Sequence, residues 1–189
     1  MKIFLTLTSF LLLTVHQLNA QIIQRKDAAD ALNFIDSLTN PLKSSANNVV
    51  AYNQKLKSIS NKVSNYRLPK NQIDSLKAYY NTLIGAYNHA IKMAAQNKTI
   101  DKFTGLKSKF LDLLTEGRKP WLTIIPVYIK MYTNGQSALS VPEQNIINQA
   151  GSIYMTSATK ALECAKIVAT QEDEIEKKYQ LELYRDLYK

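Results

Sequence analysis

Apolar residues recur at every third or fourth position through most of this chain, which is the spacing of one helix face rather than of a strand. Leu32, Ile35 and Leu38 predict a short helix ending before Pro41, and Leu42, Ala46, Val49, Leu56, Ile59 and Val63 predict a second, reaching about Tyr66. The clearest stripe is Ile73, Leu76, Tyr80, Leu83, Ile84, Tyr87, Ile91 and Ala94, with Asn71 as its expected cap and Asp74 in its first turn. Gly85 sits inside this stripe as the expected point of close helix–helix approach. A further helix follows Thr99, turns Phe103, Leu106, Phe110, Leu113 and Leu114 inward, and is expected to stop at Gly117.

From Pro120 to Tyr132 the chain is apolar on nearly every side, so this segment belongs in a packed core, with Pro126 dividing or kinking it. Asn134-Gly135 marks a turn. Ser140-Val141-Pro142-Glu143 then combines a capping box with proline at the first helical position. No proline follows, so a continuous helix to Lys189 would cover about 47 residues, or roughly 70 Å. Ala161, Ala165, Val168, Ile175 and Tyr179 keep a near-heptad, coiled-coil-like spacing along it, with a weak internal cap at Thr170. Strand patterns are absent. The expected fold is all-α: an elongated antiparallel bundle of five or six helices with a long C-terminal helix.

The first twenty residues break this pattern. Lys2 precedes an apolar run from Ile3 to Val15, and Leu18-Asn19-Ala20 offers a cleavage site before Gln21. That order is a secretory signal peptide, and the run is too short to span a bilayer. Residues 1–20 are therefore expected to be a signal peptide and residues 21–189 one helical-bundle domain, acting in the periplasm or outside the cell. No transmembrane segment is expected in the mature chain. The one cysteine, Cys164, cannot form an internal disulfide, so the fold must stand on its core. Beside Ala161, Ala165 and Val168 its thiol reads as a small apolar filler.

Candidate chemistry is sparse. The mature chain keeps one histidine, His89, facing away from the Tyr87/Ile91 stripe, and it has no HExxH, CxxC or phosphate-cradling glycine loop. The carboxylate pairs Asp27/Asp30, Glu172/Glu176 and Glu182/Asp186 lie along single helix faces, where solvation is the ordinary role. No enzyme, cofactor or metal is expected, and Asn97-Lys98-Thr99 is only a lone glycosylation sequon.

Charge changes the picture. The whole chain has 24 Lys and Arg against 15 Asp and Glu. The excess lies between Ser37 and Ile100, whereas Glu172, Asp173, Glu174 and Glu176 cluster near the end. Basic residues with interleaved tyrosines favour an anionic partner or self-association over a featureless surface. Candidate partner-binding residues are Lys55, Lys62, Lys77, Lys92, Tyr52 and Tyr66, with Tyr79, Tyr184 and Tyr188 as further exposed tyrosines; solvated helix faces are the competing reading. The expected function is a non-enzymatic binding or scaffold protein of the cell envelope. Its partner would be a protein, a second copy, or an anionic envelope polymer or lipid, with nucleic acid disfavoured by export. Minor components of secretion and DNA-transfer machines share this plan. The alternative is a carrier of a lipid or apolar ligand held near Trp121, Ile125 and Tyr128.

Overall fold

Helix α1 runs from Lys2 to Ser60 in the computed structural model of this chain and passes through Pro41 without a break. The structure describes residues 2–181, with side chains described for residues 20–63 and 65–181. The expected signal segment up to Asn19, and Glu182, Tyr184, Asp186 and Tyr188, lie outside the residues so described. Proline removes one intrahelical donor and usually ends a helix, but here Leu38 and Leu42 are both buried on either side of it. Ala28, Ile35, Leu42, Val49 and Leu56 are buried at intervals of seven, so one seam continues across the proline. The two helices expected on either side of Pro41 are one.

Helix α2 spans Lys70–Gln96, α3 Leu106–Asn134, α4 Val141–Asn148 and α5 Ala150–Tyr179, with short 3-10 turns at Ser64–Tyr66, Ile100–Lys102 and Gln136–Ala138. The described residues hold no strand, and the fold is all-α, five helices with a long C-terminal one. Among the described residues no helix is long and apolar enough to cross a membrane. Gly117 does not stop a helix: α3 continues through it and through Pro120 and Pro126. Burial of Trp121, Ile124, Ile125, Val127, Tyr128, Met131 and Tyr132 along this helix outweighs the two lost backbone donors. The final helix is not continuous either. It breaks at Gln149 between α4 and α5, and α5 then runs through Thr170 without a break.

Contacts group the chain into two compact units, residues 37–168 and residues 1–36 with 169–189. In the first, the long helices alternate in direction in chain order. Leu68 N donates to Tyr132 O at 2.9 Å and Arg118 Nη1 to Asn88 Oδ1 at 2.6 Å, which sets α2 antiparallel to α3. Val49 packs with Leu83, Trp121 and Ile125, while Leu56 packs with Ile73, Leu76, Tyr128 and Tyr132, so this part of α1 runs parallel to α3. On α5, Tyr154 meets Trp121 edge-on, and Ala161 and Ala165 face the hollow that Leu113 lines, so α5 runs back along α3. Gly85 touches none of this: nothing lies within 4 Å of where its Cβ would be. Close approach occurs instead at Gly117, where a Cβ would stand 3.0 Å from the Tyr87 hydroxyl.

The bundle end is clasped by its turns. Gly135, at φ 92 and ψ 163, adopts a conformation closed to other residues, and Asn65 fills the space its side chain would need. Asn65 Nδ2 also donates to Ser137 Oγ at 3.3 Å. In the other unit, Ala28, Ala29, Ala31, Leu32 and Ile35 of α1 are buried, as are Ile175 and Leu181. Arg25 Nη2 donates to Gln180 Oε1 at 3.5 Å within this unit.

Candidate functional site

Trp121 is the centre of the first unit's most distinctive surface. Its position on α3 follows from the stripe Trp121, Ile125 and Tyr128, whose spacing of four and three puts all three on one helix face. The structure brings these three residues together on the wall of one groove of about 300 Å³ between α1, α3 and the start of α5. Val49, Val50 and Ile124 extend the apolar wall, and Asn53, Gln54 and Lys57 stand at its polar end on α1. A second hollow, of about 330 Å³, continues along α3 and α5. It shares Pro120, Trp121 and Tyr154 with the first and is floored by the small residues Gly117, Ala158, Ala161 and Ala165.

The shared aromatic hub is well ordered chemically. The Trp121 and Tyr154 rings lie 6.0 Å apart at 77°, the edge-on geometry that aromatic quadrupoles favour. Burial pushes the Tyr87 hydroxyl above the ordinary tyrosine value, with the Trp121 indole acting the other way. Tyr132, deeper in the same unit, is raised further by burial, with Tyr128 adding to the effect, and its hydroxyl donates to Asn53 Oδ1 at 3.3 Å. These are neutral phenols. Among the described residues, no group of three or more His, Cys, Asp or Glu is placed to hold a metal ion. His89 is exposed on α2, and Cys164 is half-buried on α5.

The basic candidates are less concentrated. Lys55, Lys77 and Lys92 are exposed on α1 and α2. The Lys55 ammonium stands 6.0 Å over the Tyr52 ring, and Tyr52 in turn meets Tyr79 at 5.2 Å. Lys62 does not share a helix face with Lys55, because α1 ends at Ser60 and Lys62 lies in the turn that follows. Tyr66 is half-buried against the core in a left-handed conformation, φ 60, and is part of the turn rather than an open binding face. Asn97 of the sequon is occupied locally: its Oδ1 accepts from Thr99 N at 2.8 Å and Ile100 N at 2.9 Å.

Tyr154 and Lys57 complete the groove, and local spacing on α3 does not single them out as site residues. Each comes from a different helix, and the signal that finds Tyr154 is its spacing of seven from Ala161, which puts both on one side of α5. No known protein family, curated protein or solved structure matches this chain.

Proposed function

We propose that this is an exported, non-enzymatic binding protein whose basic helical unit engages an anionic polymer of the cell envelope. The observation that carries the reading is charge segregation. Residues 37–168 hold 17 Lys and Arg against 6 Asp and Glu, a net charge of +11. Five of those acids are already engaged: Asp74 by Lys70, Asp101 by Lys107, Asp112 by Lys109, Glu116 by Lys119 and Glu143 by Lys130. Among the described residues, Lys55, Lys62 and Lys92 form no ion pair, and they keep their charge turned to solvent. A field of one sign on rigid helices attracts polyanions at long range.

The test is titration of residues 21–189 with heparin, a sulfated polysaccharide, at rising salt. Because the Debye length falls from about 10 Å at 0.1 M to about 3 Å at 1 M, binding should be lost across that range. Lys55→Glu with Lys62→Glu should weaken it further without altering the helical circular dichroism. Binding that is absent at low salt, or indifferent to salt and to both reversals, would sink the reading.

A further inference from the structure

We propose that the groove beside Trp121 holds the single acyl chain of a long-chain carboxylate, with its head group at Lys57. The inference goes beyond polymer binding and uses a different surface. The two hollows lie end to end along α3, from Leu113 at one extreme to Tyr128 at the other. Fifteen steps of α-helix make about 22 Å. A hydrocarbon chain, with bonds near 1.5 Å at tetrahedral angles, advances about 1.25 Å per carbon, so roughly sixteen to eighteen carbons fill that length.

The walls suit that occupant. Ala158, Ala161 and Ala165 of α5 leave a trough where larger side chains would have closed the helix contact. Val50, Tyr154 and Leu162 line the hollows yet stay 36%, 42% and 56% exposed, so apolar surface is left facing water along the groove. Among the lining residues of the two hollows, charge stands at one end, on Lys57. Along one face of α1 the lining changes from Val49 and Val50 to Asn53 and Gln54 and then to Lys57, one turn at a time. Lys57 is exposed and forms no ion pair among the described residues. One cation beyond a narrow apolar trough complements one anionic head on one tail. A second copy of this chain is the competing occupant, and the experiment must separate it.

Trp121 is the chain's one tryptophan and it lines both hollows, so its fluorescence reports occupancy directly. The experiment titrates residues 21–189 with monomeric 9,10-dibromostearate, whose bromines quench indole on contact. Saturable quenching at one equivalent, reversed by stearate, is the expected result. Lys57→Gln should weaken the carboxylate roughly fivefold and leave octadecanol unchanged, the size expected of one solvent-facing charge pair. Ala161→Phe should weaken stearate more than decanoate by filling the far hollow; if that variant fails to fold, Lys57→Gln on the solvent side still decides. Four outcomes overturn the proposal: no quenching by the monomer, quenching only from vesicles carrying brominated phospholipid, equal loss for acid and alcohol, or a ligand-free dimer that shields Trp121. Heparin binding without quenching would remove this inference and leave the proposed function standing. Quenching without heparin binding would do the reverse.

Discussion

Glu143 joins two elements through one carboxylate. Its Oε2 accepts from Ser140 N at 2.7 Å and Ser140 Oγ at 2.8 Å, and Lys130 of α3 donates to both its oxygens at 2.7 Å. The Lys130 hydrogen bond, helped by both Ser140 donors, holds the carboxyl down to about 2. A depressed carboxyl contributes stability that is fully present above its unfolded value near 4.5 and lost as pH falls through about 2. Glu143→Gln should therefore lower the thermal midpoint at neutral pH, and that difference should shrink between pH 4.5 and 2. A difference of constant size down to pH 2 would show that the carboxylate charge is not its source. The capping box was legible because its partners are three residues apart. Lys130 was not, because only the fold brings it to Glu143. The groove divides in the same way: Trp121, Ile125 and Tyr128 share a local spacing on α3, whereas Lys57 and Tyr154 come from α1 and α5.

Prolines misled the reading of elements. Local propensity makes Pro41 and the Gly117/Pro120 pair helix boundaries, yet in each case buried side chains on both flanks carry the helix through. The seam from Ala28 to Leu56 at sevens was present in the sequence and crosses Pro41 without a phase change, so periodicity was the better guide. The opposite error occurred after Asn148, where no proline or turn pair marks the break. There Glu143 is tied to Lys130, and Tyr154 packs on Trp121; α4 and α5 thus answer to different contacts on α3. Pro41 itself is exposed, so its ring contributes little packing. Pro41→Ala should restore the missing donor and stabilise the chain by about 1–3 kcal/mol, read as a higher urea midpoint with an unchanged slope. Loss of stability would mean that the proline fixes a bend the helix requires.

At the scale of the molecule, the all-α fold is readable from helical spacing and missing strand patterns, but the division into two units is not. Separation of this kind depends on which buried residues meet, and a heptad that runs through both units gives no sign of it. The larger unit has layered apolar clusters around Leu76, Tyr132, Leu83 and Trp121. The smaller one, among its described residues, buries chiefly three alanines with Leu32, Ile35, Ile175 and Leu181. Apolar burial sets how much free energy local opening requires, and an element this small buries too little to hold alone. Amide hydrogen exchange should therefore be ordered. Amides in residues 21–36 and 171–180 should exchange through low-energy opening, while those of Ile73–Ala94 and Phe110–Tyr132 should exchange only near the global unfolding free energy. Leu83→Ala should cost about 2–5 kcal/mol and lower protection throughout the larger unit. Ile175→Ala should accelerate exchange in the smaller unit and leave α2 and α3 protected. Equal protection of the two units, lost together in either variant, would mean that they unfold as one cooperative body.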